Sequence, residues 1–521
     1  MSCSTPQHGP WIWALIAIAA LERAWLLLHF GSTHVGIDDA LIQQVAIDYG
    51  HGLFREPFLY GQNYNPMLEA LLAAPFIRLG AAPWIALPIV TSLLALLPCW
   101  SLSLWCLRRR EALAAFAVAA IPLLLPAEWG LITSLPRGWV HGLALLACVP
   151  WMHGIRHSWA RHALLGLTLM AALLCNPNAA PLVAAIAIRL ALREPRSASL
   201  WVMGATALAC GWALHRAVQS WYAVRPGSVV HPLLPSDLAF DHRLLMDGLA
   251  RIDQHLLHLH PFGSMAWMAL AALAAMVIAL ALRREWDAVI PIAAAVAVML
   301  LALGIPKAHE GCTSVFLPLS RMMLGMPLLL AAAAALLLWG RPARRSIRIV
   351  LVPLALLALG RSARLDATVR NELAQQECAW VREEPIDAVR ARCAVISGAA
   401  RKFHCDLVVP VRWPHLRVDH AAHFTAHLTC YACPQLVPGF PAAYGAGFDR
   451  RAWVRAAHEA PPLGRVLFVG GDPMAWSAAI AEGRAIEDVS EQGVVMHIAH
   501  CDTIAAGDFI LRMGVDDDLA R

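Results

Sequence analysis

The chain has 521 residues, of which 59% are hydrophobic and only 15% charged, with a formal net charge of +5. A soluble globular chain carries about 25% charged residues, so an ordinary soluble domain is excluded, and the apolar excess comes in runs near the ~20 residues that cross a bilayer core. Residues 1–362 hold 25 basic and 16 acidic side chains and residues 363–521 hold 16 and 20, so the basic surplus belongs to the apolar part, where it sets topology and gives no reason to expect a nucleic-acid partner.

Trp11–Phe30 has no basic region before it, contains Glu22 and Arg23, and reads as a retained first span rather than a signal peptide. With the N-terminus inside, further spans are predicted near 82–106, 112–126, 138–155, 163–175, 179–192, 199–217, 263–282, 287–304, 322–339 and 349–360. The clusters Arg108–Arg110, Arg156/Arg161, Arg193/Arg196, Arg283/Arg284 and Arg341–Arg348 then all fall on one side, as the positive-inside rule requires. Pro66–Leu79 is short, carries Glu69 and Arg78, and reads as a helix at the outer interface. The expected fold is an all-α polytopic membrane domain of about eleven helices over residues 1–362, followed by an extracytoplasmic mixed α/β domain over 363–521. In that second domain Ala394–Ser397, Asp406–Val411, Val466–Val469 and Val494–Ile498 read as strands, and Glu372–Arg392 and Met474–Gly483 as helices. The expected location is a bacterial inner membrane with the C-terminal domain in the periplasm.

The first outer loop, 31–80, carries the chemistry. Asp38 and Asp39 are adjacent at a helix start just outside the first span. One carboxylate suffices to cap a helix; the other is free for acid–base or metal work, and at a membrane surface it can take a proton from an attacking acceptor hydroxyl. The segment Tyr60-Gly61-Gln62-Asn63-Tyr64 follows, then Pro66 and an apolar helix containing Glu69, ending at Gly80.

This order of features resembles the GT-C superfamily of membrane glycosyltransferases, which includes the protein O-mannosyltransferases and aminoarabinose transferases. It is most similar to the bacterial branch of family 39 type. The Asn176-Pro177-Asn178 hairpin and Ser320-Arg321 followed by Pro327 fit the same pattern. The resemblance implies a GT-C fold with its active site on the outer face, a polyprenyl-phosphate sugar donor and inverting transfer. It implies Asp38 or Asp39 as general base or as ligand of a divalent cation, and substrate contacts from Tyr60, Gln62, Tyr64 and Glu69. The chain departs from the pattern in having Met322 after Arg321, and in a short second outer loop that offers Glu128 and Arg137 but no Asp.

Glu69 in an apolar helix must face protein or water, since a carboxylate facing hydrocarbon costs ~2.5 kcal/mol or more; it reads as a sugar- or acceptor-binding group. Arg137 and Arg321 are outer-side cations suited to a phosphodiester donor, and Lys307 and His309-Glu310 are further candidates. Asp241–Leu257 in the loop 218–262 reads as an amphipathic surface helix. His404, Cys405, His415, His420, His423, His427, Cys430 and Cys433 crowd one stretch, where disulfides are the expected use of the thiols rather than zinc. The expected partners are the lipid bilayer, a polyprenyl-phosphate sugar and an unidentified acceptor. A transporter or flippase with an extracytoplasmic binding domain is the rival reading; it calls for internal repeats, which the sequence does not display, and for functional charges at mid-bilayer, whereas the candidate polar residues cluster at the outer edge.

Overall fold

The computed structural model describes residues 9–225, 228–256, 267–312, 316–341, 383–410, 428–443, 463–470 and 486–504, with 259, 314, 353–357, 360 and 367 besides. Helix α1 (Gly9–Leu26) runs into a π-turn at Leu27–Gly31, strand β1 (His34–Val35) follows, and then α2 (Ile37–Gly50). Strand β2 (Gly61–Gln62), α3 (Leu68–Arg78), α4 (Pro83–Arg108) and α5 (Ala112–Leu124) come next. Helix α4 opens on proline at its first position, where the missing N–H has no helical partner to lose. It stops where Arg110 takes a left-handed φ of 67°.

The second outer loop holds α6 (Ala127–Ile132), and the predicted span 138–155 is a broken helix: α7 (His141–Leu145), a 3₁₀ turn, and α8 (Val149–Met152). It starts late because Gly138 has φ 77°, outside the helical region. Helices α9 (Ser158–Cys175) and α10 (Ala180–Arg193) form the expected hairpin, followed by α11 (Ala198–Ala223). The predicted single helix Asp241–Leu257 is two, α12 (His242–Ala250) and α13 (Ile252–Leu256). Contrary to the solvated-surface expectation, His255 and Leu256 are buried. Then come α14 (Trp267–Leu282), α15 (Trp286–Ala302), a 3₁₀ turn at Leu319–Met323, and α16 (Met326–Leu338). Five of these segments are long and apolar enough to cross a membrane, Gly9–Gly31, Pro83–Arg108, Ser158–Cys175, Ala198–Ala223 and Leu319–Leu338, and four shorter ones are apolar too. Half of the predicted span 349–360 lies outside the described residues.

Small residues let the helices approach closely: Ala114, Ala115, Val118 and Ala119 of α5 bury against Leu15 and Ala19 of α1 and Ala331 and Ala335 of α16. The arginine-rich loops are tied to one another at one end. Gly340 N–H donates to Glu111 at 2.7 Å, Arg283 to the Leu337 carbonyl at 2.7 Å, and Arg193 pairs with Asp287 at 2.6 Å. Arg23, on the buried side of α1, donates to the Gly130 carbonyl and Thr133 hydroxyl of α6, the interhelical pairing that an intramembrane arginine needs.

In the C-terminal part, strand β4 (Glu384–Pro385) leads into α17 (Ile386–Lys402), which packs on a four-stranded sheet. Its strands are β5 (Leu407–Pro410), β6 (Leu463–Val469), β7 (Ile486–Asp488) and β8 (Met496–Ile504), in the order β5-β6-β8-β7 with only β5/β6 parallel. Ala394–Ser397, read as a strand, is instead the middle of α17. Val389, Cys393, Ile396 and Ala400 are buried at helical spacing, and a four-residue apolar run alone does not separate strand from helix. The expected helix Met474–Gly483 lies outside the described residues. Cys393 and Cys433 form a disulfide, so Cys433 is not available as the metal thiolate considered above.

Candidate active site

The site starts at the N-terminus of α2. Gly36 is extended (φ −109°, ψ −179°) and Asp39, three residues on, turns back to accept its N–H at 3.1 Å. Asp39 is therefore the capping carboxylate, and its side chain is only 7% exposed. Asp38 is the free one, with a side chain 51% exposed.

Both face Arg137, whose Nη1 lies 3.7 Å from Asp38 and whose Nη2 lies 3.6 Å from Asp39. The backbone around Arg137 is clamped at successive residues. Asn65 donates to the Arg137 carbonyl at 3.3 Å, Gly138 N–H donates to Glu69 at 2.7 Å, Asn176 donates to the Gly138 carbonyl at 3.0 Å, and Asn178 to the Trp139 carbonyl at 2.6 Å. The hairpin turn between α9 and α10 thus holds the arginine's platform. A third carboxyl group arrives from the C-terminal part: Glu383 accepts from Arg137 Nη2 at 2.7 Å and is 2% exposed. Burial and the neighbouring Asp39 carboxylate push Glu383 well above the ordinary carboxylate range, against the pull of Arg137. Arg137 is buried, which by itself lowers its pKa, but Asp39, Asp38 and Glu383 together raise it, so it stays charged.

Beside this group lies a second cationic patch. Lys307, one of only two lysines in the chain, donates to the Tyr64 hydroxyl at 3.3 Å and pairs with Glu310 at 2.6 Å. Burial works against its charge and these partners raise its pKa. Arg321 is 8% exposed. Its Nη2 reaches the Lys307 carbonyl at 3.4 Å and Glu310 at 3.5 Å, while its Nη1 is buried with no hydrogen-bond partner. Arg321 lies within electrostatic reach of Arg137 and Asp38 as well as Glu310, which joins the two patches.

Asp38, Asp39, Tyr64, Arg137 and Arg321 therefore come together. The remaining three residues singled out in the sequence lie apart. Glu69 is fully buried and its carboxylate is engaged by Gly138 N–H, by the Thr91 hydroxyl at 3.0 Å and by His141 at 3.0 Å; it faces this internal network. Tyr60 is 2% exposed and donates to Asp48 at 2.8 Å. Gln62 sits in the short parallel pairing of β2 with β3 (Val229–His231), and its Oε1 is buried with no hydrogen-bond partner. Glu383 was not foreseen, since no motif or apolar period marks it. Lys307 and Glu310 were visible as a charge pair but had nothing in the sequence to tie them to Asp38. Arg137 lies 3.7 Å from Asp38 and 3.6 Å from Asp39, the two carboxylates named above as ligands of a divalent cation. Among the described residues no group of three or more His, Cys, Asp or Glu side chains is arranged to hold a metal.

No protein-family model matches the sequence, and no curated protein matches it. Solved structures do. ArnT from Cupriavidus metallidurans in the apo state superposes with a TM-score of 0.54 at 12% identity, over 94% of this chain and 98% of that one. The same protein bound to undecaprenyl phosphate gives a TM-score of 0.53 at 12% identity over the same shares. At 12% identity this likeness is one of fold: the chain shares the ArnT fold over nearly its whole length.

Proposed function

We propose that this protein is a multi-pass membrane glycosyltransferase that moves a sugar from a polyprenyl-phosphate donor to an acceptor on the periplasmic face of the bacterial inner membrane. Asp38 is the general base. It takes the proton of the acceptor hydroxyl as that oxygen attacks the anomeric carbon, the bond to the phosphate oxygen breaks, and the anomeric configuration inverts. Arg321, with Lys307 and Tyr64 beside it, receives the departing polyprenyl phosphate and balances its growing charge. The observation that carries this reading is an exposed Asp38 within electrostatic reach of a buried Arg321 whose Nη1 has no hydrogen-bond partner among the described residues, since a buried unpaired donor is rare unless a ligand completes it. An ArnT structure holding undecaprenyl phosphate supports the choice of lipid. The disulfide Cys393–Cys433 supports an oxidising compartment for the C-terminal part.

Glu69, Tyr60 and Asp48 shape the site rather than touch substrate, and Gln62, through its unpartnered Oε1, is the remaining first-loop candidate for the sugar or acceptor. Arg137 supplies positive charge beside both carboxylates, so the reaction is read as metal-independent. The rival transporter reading gains no specific support, because the clustered charges sit at loops and helix ends. The test is transfer from radiolabelled polyprenyl-phosphate sugars in membranes carrying the wild type or Asp38→Asn, with and without EDTA. Transfer that survives EDTA and is lost in Asp38→Asn supports the reading. Equal signals from both proteins would remove Asp38 from its role.

A further inference from the structure

Three carboxyl groups surround one guanidinium, two more than its single charge balances. Asp39 caps α2, Asp38 is exposed for chemistry, and Glu383 is brought in from the far end of the sequence to the same arginine. Burying an acid without need is unfavourable, and the chain goes to some length to do it. Strand β4 pairs antiparallel with β1, with His34 opposite Pro385 and Val35 opposite Glu384, and Ile386 N–H donates to the Thr33 carbonyl at 2.9 Å. Val35 and Ala40 share a buried cluster with Ile386, Val389, Cys433 and Leu436. Gln435 donates to the Ala40 carbonyl at 3.1 Å. Gly36 is the residue that lets the acid through, because a Cβ there would collide with the Glu383 carboxyl.

We propose that the C-terminal domain completes the transferase site, with Glu383 as a positioning residue that grips the Nη2 edge of Arg137 so that Nη1 stays directed at Asp38. This rests on the transferase reading above. Arg137 Nη1 is also held by the Phe316 carbonyl at 2.9 Å, so with both edges engaged the guanidinium has one orientation. Without Glu383, Nη2 is released to close on Asp39, now 3.6 Å away, and that rotation carries Nη1 off Asp38. The reacting carboxylate then loses the fixed cation that orients it, and misplacement by about 1 Å at a reacting centre is enough for about a hundredfold loss of rate. A neutral Glu383 acid accepts from Arg137 with its carbonyl oxygen, a role that a glutamine amide oxygen reproduces in the same space.

The experiment is steady-state transfer by the full-length protein in membranes, comparing wild type, Glu383→Ala, Glu383→Gln, Glu384→Ala and Asp38→Asn, with thermal unfolding of each. Glu384 lies in the same strand pairing but bonds Arg392 at 3.0 Å instead of the site. It therefore reports damage to the clasp alone. The expected result is a kcat lowered about 10–100-fold in Glu383→Ala with donor KM little changed, most of the rate regained in Glu383→Gln, and Glu384→Ala near wild type. Glu383→Ala at wild-type kcat, beside an inactive Asp38→Asn, overturns this inference and leaves the transferase reading standing. Equal losses in Glu383→Ala and Glu384→Ala that follow their unfolding temperatures also overturn it, reducing Glu383 to a structural contact. Full activity in Asp38→Asn removes Asp38 as the base and this inference with it, and no transfer by the wild type above empty-membrane background removes the transferase reading.

Discussion

The Glu69 carboxylate accepts the Gly138 N–H at 2.7 Å, which fixes the backbone one residue beyond Arg137 from inside α3. The same carboxylate takes the Thr91 hydroxyl and His141. Removing it leaves the buried Gly138 N–H and Thr91 hydroxyl without their partner, while His141 Nε2 keeps the Glu69 backbone N–H at 3.2 Å; two orphaned donors at about 1–3 kcal/mol each amount to about 2–6 kcal/mol. Glu69→Ala is expected to lower the unfolding temperature of the purified protein strongly and to reduce transfer with it. Glu69→Gln, which can still accept from Gly138, is expected to lose less, about 1–3 kcal/mol. A stable, fully active Glu69→Ala protein would contradict the network's role.

Two glycines admit the site's neighbours. At Gly36 an added Cβ meets the Glu383 carboxyl, and at Gly138 it meets the Asn65 amide while the backbone sits at φ 77°. Gly138→Ala combines an unfavourable left-handed backbone, about 1–2 kcal/mol, with a collision against the group that holds the Arg137 carbonyl. Gly36→Ala meets the C-terminal clasp and, at 3.1 Å, the Asp39 carboxylate that caps α2. Transfer is expected to fall in both, with the greater loss of stability in Gly138→Ala, as read by unfolding temperature.

The pH dependence of stability follows from Glu383. Its pKa in the folded protein is raised well above the ordinary 4.5, so the folded chain holds a proton that the unfolded chain has released. That contribution to stability is fully present below pH 4.5 and declines as pH rises toward the folded-state value. The groups facing Glu383 are Asp39 and Asp38 from α2 and Arg137 from the second outer loop. Their charges favour the neutral acid in the first two cases and oppose it in the third. Unfolding temperatures measured between pH 5 and 8 are expected to fall less steeply with pH in Glu383→Gln than in wild type. An identical slope in the two proteins would show that Glu383 titrates normally.

The disulfide Cys393–Cys433 closes a loop with a sequence separation of 40, for which chain entropy gives a stabilisation of about 4 kcal/mol. It pins α17 to the Cys433–Leu436 segment, and both pack on Val35 and Ala40 beside the site. The double variant Cys393→Ser/Cys433→Ser is expected to unfold at a lower temperature, and to lose transfer in step with release of the clasp. Limited proteolysis around residue 385, compared with and without reductant, reads that release directly.

How far the sequence reaches depends on the distance between partners. Helix periods, arginine clusters and the turn at Asn176-Pro177-Asn178 are local, and they outlined the membrane fold before any coordinates. Asp38 stood out because two acids at a helix start exceed what a cap requires. Glu69 was noticed for being costly in an apolar helix, but the partners that explain it, Gly138, Thr91 and His141, come from two other elements. Glu383 had no local signal. Its place comes from a two-residue strand pairing between opposite ends of the chain, which no window of sequence contains. The strand reading of Ala394–Ser397 went astray because the helical spacing of buried residues becomes visible only across the whole of Ile386–Lys402.

Arg321 gives the clearest separation of donor binding from acid–base chemistry. Its Nη2 makes long contacts of 3.4 and 3.5 Å to the Lys307 carbonyl and Glu310, and its Nη1 makes none, so little in the protein depends on the side chain being there. Arg321→Ala is therefore expected to leave the unfolding temperature close to wild type. Hydrogen bonds to a charged group are worth about 1.5–3 kcal/mol, so losing them from the donor phosphate should cut kcat/KM about 10–100-fold. Lysine at this position keeps the charge but presents one compact ammonium instead of a planar fork, and is expected to recover only part of the loss. Short-chain polyprenyl phosphate without a sugar, added as a competitor, should inhibit the wild type more strongly than Arg321→Ala. Equal inhibition of the two would move the phosphate away from Arg321 and toward Lys307, which shares Glu310 with it.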